Sequence, residues 1–186
     1  LSFLFDQLAA AGIKKAVLCS GYLGEQIRSA FGESHGTLRL SYSQELTPLG
    51  TGGALRLAVP LLESDWVLAV NGDCYLDVDL RAFWEWHRKR TGESTLLRNR
   101  MPDTGRYGRV NVDDEGVVHS VEEKGGQGGP GWINAGRYLI SHRRIKEIPP
   151  DREVSLEYEI FPAWVGRGLY GYRASGRFLD IGTPES

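Results

Sequence analysis

Helix-like and strand-like stretches alternate over residues 1–90, and this alternation leaves few folds open. Leu1, Leu4, Phe5 and Leu8 repeat at helical spacing, and Gly12 supplies a stop. Lys15 to Cys19 is a short apolar run. Leu23, Ile27, Ala30 and Phe31 form a second helical pattern, ended by Gly32. Leu38 to Tyr42 alternates as a strand does, Gly52 to Leu62 predicts a helix that tolerates Pro60, Trp66 to Val70 predicts a buried strand, and Leu80 to Arg90 a further helix. Strands that alternate with helices predict a parallel sheet covered on both faces.

The run Trp66-Val67-Leu68-Ala69-Val70 stops abruptly at Asn71-Gly72-Asp73. It therefore sets a carboxylate, Asp73, at the carboxyl end of a strand, where open α/β sheets collect ligands. Asp180 follows a second short apolar run. Each Asp alone reads equally as a turn cap or as a metal ligand. Mg²⁺ takes hard oxygens, commonly one or two carboxylates plus substrate phosphates. Only a fold can bring two such distant residues together.

The style changes near residue 100. Gly108 to Val112 and Val117 to Glu123 predict a β-hairpin around the turn Asp113-Asp114-Glu115-Gly116. Residues 125 to 131 are mostly glycine and predict a flexible loop. Ile133 to Ile140 predicts a strand, Ser155 the N-cap of a helix to about Val165, and Leu169 to Arg173 and Phe178 to Ile181 closing strands. One domain is expected over 1–186, the shift near residue 100 being a change of sub-structure and not a linker between independent domains. No internal repeat is present.

Composition narrows the function classes. Apolar residues make up 41% and charged residues 25% of 186, ordinary for a globular chain. A net charge of −2 gives no electrostatic case for nucleic acid or an anionic membrane. No apolar run is long enough to span a bilayer, and no signal peptide is visible. Cys19 and Cys74 have no metal-ligand spacing and read as reduced thiols of a cytoplasmic protein. The four histidines share no ligand spacing. Neither a Gly-x-Ser-x-Gly elbow nor a Walker A motif occurs. Trp84 and Trp86 read as core packing.

Three further segments carry polar chemistry. Leu49-Gly50-Thr51-Gly52-Gly53-Ala54 is either a tight strand-to-helix turn or a seat for a flat base or a phosphate at a helix start with free N–H groups. Glu122-Glu123-Lys124 reads as a solvated strand end or as a phosphate contact through Lys124. Asn134 places one amide within Trp132-Ile133-Asn134-Ala135-Gly136, where it needs a backbone or sugar partner; Trp132 reads as core or loop cover.

Taken in order, Leu49 to Ala54, Asn71-Gly72-Asp73, Tyr107-Gly108, Glu122-Glu123-Lys124, Ile133 to Gly136 and Asp180-Ile181-Gly182-Thr183-Pro184-Glu185 resemble the sugar-1-phosphate nucleotidyltransferases. The glycine loop, Ser155-Leu156-Glu157 and the close of the chain look most like the D-glycero-D-manno-heptose-1-phosphate guanylyltransferases, with the mannose-1-phosphate guanylyltransferases as neighbours. The resemblance implies an α/β, Rossmann-like nucleotidyltransferase (GT-A-like) fold. It would have a mixed, mostly parallel central sheet, helices on both faces and a small β-hairpin subdomain. It implies transfer of a nucleotide, with GTP expected, to a sugar 1-phosphate, releasing pyrophosphate.

By the same resemblance, Asp73 and Asp180 bind Mg²⁺ and Lys124 holds the sugar phosphate, these three being the catalytic set. Gly50, Thr51, Gly52 and Gly53 contact the base, and Gly108, Glu123 and Asn134 hold the sugar. Glu45 is the expected guanine reader, since a carboxylate accepts from both N1–H and the 2-amino group of guanine. The resemblance also makes residues 1–100 the nucleotide-binding half and 101–186 the sugar-phosphate-binding half, with the triphosphate and the sugar 1-phosphate as the implied partners. The sequence leaves the sugar and the oligomeric state open, a homo-oligomer included.

One departure stands out. The family opens with a strand, a Gly-x-Gly-Thr-Arg-rich loop and a Lys that cradle the triphosphate, and this chain opens at Leu1 in a helical pattern. A trimmed or incompletely read chain is the expectation. It carries two consequences: two open sheet edges, and little or no transferase activity for the 186 residues alone. The alternative is a non-catalytic binding or regulatory module with the same fold. A flavodoxin-like domain fits the first half only.

Overall fold

A computed structural model describes residues 1–122 and 128–180. Helix α1 (Ser2–Ala10) leads into β1 (Lys15–Ser20), α2 (Gly24–Phe31), the short β2 (Ser34–His35) and β3 (Leu38–Gln44). Next come α3 (Gly50–Leu57), a 3₁₀ turn (Val59–Leu61), β4 (Trp66–Val70), β5 (Cys74–Leu76) and α4 (Leu80–His87). The second half runs β6 (Ser94–Met101), β7 (Val110–Val112), β8 (Val118–Val121), β9 (Gly131–Ser141) and α5 (His142–Glu147). A π-helical turn (Leu156–Ile160), α6 (Phe161–Trp164), β10 (Leu169–Ala174) and β11 (Phe178–Asp180) complete it.

The sequence patterns account for most of these elements. Pro60 lies in the 3₁₀ turn, so α3 stops at Leu57, short of the predicted Leu62. Ser155 caps as expected, accepting from Glu157 N and Tyr158 N, but the turn it opens is π-helical before α6 begins.

The sheet is mixed and mostly parallel in strand direction, as expected, with one strand reversed. β1 pairs parallel with β3, and β10 parallel with β6. β9, however, pairs antiparallel with both β6 and β4. The physical cause is β9 itself. Its long, largely buried run satisfies the facing edges of both neighbours, which draws β4 into a sheet of order β10-β6-β9-β4. β1, β3 and β2 form a separate sheet. The β7–β8 hairpin is present as predicted.

Helices cover both faces of the four-stranded sheet. Side chains alternate along β9. Ala135 and Leu139 enter a core with Phe5 and Leu8 of α1 and Leu80 and Phe83 of α4. Tyr138 and Ile140 enter a second core with Leu55 of α3, Ile145 of α5, and Phe161 and Trp164 of α6.

β1 and β4 each end their sheet, and no ladder joins them among the described residues. Between them runs a cleft of about 1980 Å³. All five residues of β4 are only half-buried, although its continuous apolar sequence is that of an interior strand. Among the described residues, no helix is long and apolar enough to cross a membrane.

Candidate functional site

The cleft has two polar ends, and each is built by a strand terminus. At the first, Glu45 follows β3, and its N–H donates to Ser20 O at 2.9 Å, prolonging the parallel pairing. Its carboxylate Oε2 accepts from Leu49 N at 2.8 Å, which closes the intervening turn. Glu45, Gly50 and Thr51 all line the cleft. Gly50 starts α3 at φ +69°, and a Cβ there would stand 2.6 Å from Val154 O. Glycine is required for both reasons.

Gly52 and Gly53 behave differently from the expectation. Their N–H groups donate to Val154 O at 2.8 and 3.2 Å, and Val154 N donates back to Leu49 O at 2.8 Å. The helix start therefore offers no free N–H at these two positions. A segment from far along the chain caps it, and a Cβ on Gly53 would lie 2.8 Å from Arg152 O. Their smallness admits the 152–154 segment. Gly50 and Thr51 are the loop residues on the cleft wall.

The second polar end is the turn after β4. Asn71 N donates to Gly136 O at 2.8 Å, and Gly136 N donates to Asn134 Oδ1 at 3.1 Å. Gly136 sits at φ +67°, where a Cβ would press within 3.0 Å of the Asn71 side chain. The Asn-Gly-Asp and Asn-Ala-Gly segments thus fit against each other. Asp73 is exposed, and Oδ1 accepts from Cys74 Sγ at 3.4 Å.

The structure brings the segments that carry the two predicted aspartates side by side. β11 pairs antiparallel with β5 in the register Asp180↔Cys74, so Asp180 lies across from the residue that follows Asp73. Tyr107 joins this corner. Its ring meets Phe178 edge-on at 5.7 Å, and burial, then the nearby Asp180 carboxylate, raise its phenol pKa.

Gly108 lies beside the same strand. Its carbonyl accepts from Asn134 N at 3.0 Å, and a Cβ on Gly108 would lie 2.8 Å from Glu122 O. Glu123, Lys124, the glycine loop through Gln127, and Ile181 to Glu185 lie outside the described residues.

Sequence reasoning missed three side chains in this region. Tyr138 is fully buried, accepts from Asn134 Nδ2 at 3.0 Å and donates to Glu157 Oε1 at 3.1 Å. Glu157 Oε2 in turn accepts from Thr51 Oγ1 at 2.6 Å and Ser155 Oγ at 3.0 Å. Glu157 had a signal in the Ser155-Leu156-Glu157 segment. Tyr138, inside an apolar strand, had none. Arg98, the cross-strand neighbour of Asn134, was also missed. It is buried with Nε and Nη2 unbonded among the described residues, and it lies 4.7 Å from the ring centroid of Trp132. Burial, with Arg173 nearby, lowers its pKa to about 10. Trp132 is therefore a cation–π platform as well as cover.

The donor set suits a hard, oxygen-seeking ion. Two carboxylate residues lie on adjoining segments of one sheet corner, and no group of three or more His, Cys, Asp or Glu residues gathers among the described residues. A site with few protein ligands leaves positions for water and phosphate oxygens, which is the habit of Mg²⁺.

Similarity to known proteins bears on the family and the fold. The nucleotidyl transferase family model matches residues 1–186. The mannose-1-phosphate guanylyltransferase of Mycobacterium tuberculosis is 35% identical over 100% of this chain and 53% of its own length. The D-glycero-alpha-D-manno-heptose 1-phosphate guanylyltransferase of Aneurinibacillus thermoaerophilus is 32% identical over 100% of this chain and 80% of its own. The chain thus spans about half of the first relative and four-fifths of the second. The crystal structure of HddC from Yersinia pseudotuberculosis superposes with a TM-score of 0.87 at 28% identity, covering 99% of this chain and 80% of that one. The same protein complexed with GMP-PN gives a TM-score of 0.82 at 27% identity, covering 98% and 81%. With the fold, the ordered segments and the family model in agreement over its whole length, the chain belongs to the nucleotidyl transferase family.

Proposed function

We propose that this chain carries the site of a sugar-1-phosphate guanylyltransferase working in the cytoplasm, with a heptose or mannose 1-phosphate as acceptor. In that reaction an oxygen of the sugar phosphate forms a bond to the α-phosphorus of GTP. The α–β bridging bond breaks, and pyrophosphate leaves with its electron pair. The observation that carries the reading is the Asp180↔Cys74 register. It sets Asp180 across from the neighbour of Asp73, and Asp73 lines the same cleft as Glu45, Gly50 and Thr51.

The roles are those that the family resemblance implies. Glu45, Gly50 and Thr51 line the nucleotide end, where the base lies. Gly108, Glu123 and Asn134 hold the sugar, and Lys124 neutralises its phosphate. Asp73 and Asp180 are the carboxylates that would hold Mg²⁺. The ion, when bound, screens the repulsion between the two phosphate groups. The chain's own work is to bind, orient and keep the two reactants facing one another. Guanylyltransferases among its relatives and the GMP-PN complex of HddC support GTP over other triphosphates.

Glu45→Gln tests base choice without dismantling the turn, because an amide oxygen still accepts from Leu49 N. Calorimetric titration of GTP, ATP and UTP should show guanine preference in the unaltered chain. The substitution should weaken GTP by about tenfold while leaving ATP within twofold. Equal binding of all three by the unaltered chain would contradict the guanylyltransferase reading.

A further inference from the structure

We propose that Glu157 is a positioning residue that fixes the orientation of the Asn134 amide, the expected sugar contact, and couples it to Thr51 on the nucleotide side of the cleft wall. The proposal rests on the guanylyltransferase reading for what binds at Asn134 and at Thr51; the orientation of the amide does not depend on it.

Hydrogen-bond polarity carries the argument. An ionised carboxylate only accepts. Glu157 Oε1 takes the single phenolic proton of Tyr138 at 3.1 Å. The Tyr138 oxygen is then left as an acceptor, so the group facing it at 3.0 Å must be the Asn134 NH₂. The carbonyl oxygen of that amide consequently faces Gly136 N, which donates to it at 3.1 Å. The two ends agree, and the amide has one orientation. It presents one remaining N–H and one remaining lone pair to a ligand. Burial, then the nearby Glu157 carboxylate, raises the Tyr138 pKa well above the usual phenol value and keeps the proton in place.

The other carboxylate oxygen looks toward the loop. Glu157 Oε2 accepts from Thr51 Oγ1 at 2.6 Å, and Thr51 Oγ1 accepts from Leu156 N at 2.9 Å. Ser155 Oγ adds a third bond to Oε2 at 3.0 Å. A shift of Thr51 on nucleotide binding is therefore transmitted through one rigid carboxylate to Tyr138 and Asn134. Such chains are worth more intact than as separate pairs.

Glu157→Gln breaks the polarity, since its amide can donate to the Tyr138 oxygen. Tyr138→Phe removes the link without adding a donor and serves where the first variant folds poorly. Two readouts are needed. The first is the Asn134 side-chain NH₂ signal in ¹⁵N NMR of the ligand-free chain, expected to be resolved and protected from solvent exchange, and to lose protection in both variants. The second is the affinity for mannose 1-phosphate with and without α,β-methylene GTP, whose α–β bridge does not cleave. The nucleotide should tighten mannose 1-phosphate about tenfold in the unaltered chain and no more than about twofold in either variant. Unchanged Asn134 protection in both folded variants, or undiminished coupling, overturns the proposal. Protection lost as expected with neither ligand bound by the unaltered chain supports the orienting role and sinks the guanylyltransferase reading instead.

Discussion

Gly176→Val should lower stability by about 3 kcal/mol, a fall in Tm of about 6–12 °C for a chain of this size. A Cβ on Gly176 would stand 1.6 Å from Asp77 O and 2.7 Å from the Asp77 carbonyl carbon. Both are backbone atoms and cannot swing aside. To fit any side chain, the connection from β10 to β11 must lift away from Asp77. That breaks the bond from Asp77 N to Arg177 O, now 3.0 Å, and disturbs the short β5–β11 ladder. The ladder is what sets Asp180 across from Cys74. A structural substitution several residues from either aspartate is therefore expected to weaken divalent-ion binding as well. Thermal unfolding followed by circular dichroism, together with an ion titration below the new Tm, checks both effects. An unchanged Tm with unchanged ion affinity would show that this connection does not hold the corner.

Phe161→Ala should cost about 3–5 kcal/mol. The ring is fully buried, packs on Tyr138 at 4.7 Å between centroids, and meets Trp164 edge-on at 6.0 Å. Its removal leaves a cavity on the face of β9 that carries Tyr138. The phenol then loses a wall that holds its hydroxyl between Asn134 and Glu157. Urea unfolding should show the loss as a lower midpoint with little change in slope. A loss below about 1 kcal/mol would mean that the core closes over the gap, and the tyrosine would then owe its position to hydrogen bonds alone.

Local patterns in the sequence predicted local structure well. The apolar run into Asn-Gly-Asp placed Asp73 correctly at a strand end, because a buried strand followed by turn residues leaves little choice. What escaped was set by distant partners. β6 reads Ser-Thr-Leu-Leu-Arg-Asn-Arg-Met, and its polar half disguises a strand whose Arg98 and Asn99 are buried. β5 is three residues long, too short for any period to show. α5 carries four charged residues or histidine beside one isoleucine in its first five positions, and Ser141 caps it by accepting from Arg144 N. The direction of β4 depends on β9, far along the chain, and no pattern within β4 encodes that choice.

The site divides in the same way. The residues of the Asp corner were legible as types, but the corner exists only through the β5–β11 register. The glycine loop was legible as a close approach. Its visitor at Gly52 and Gly53 is Val154 of this same chain, which a ligand-centred reading could not supply. The carboxylate between Thr51 and Tyr138, Glu157, was visible only as part of a segment shared with a family.

The central claim is that Asp73 and Asp180 act as one divalent-ion site facing phosphate. Electron paramagnetic resonance of Mn²⁺ titrated into the chain with GDP-mannose present tests it directly, using Asp73→Asn, Asp180→Asn and the double variant. The account predicts one bound ion per chain, an affinity at least about tenfold weaker in each single variant, and a double variant little worse than either, as expected for residues that share one ion. Wild-type affinity in both single variants, or losses that simply add, would contradict it.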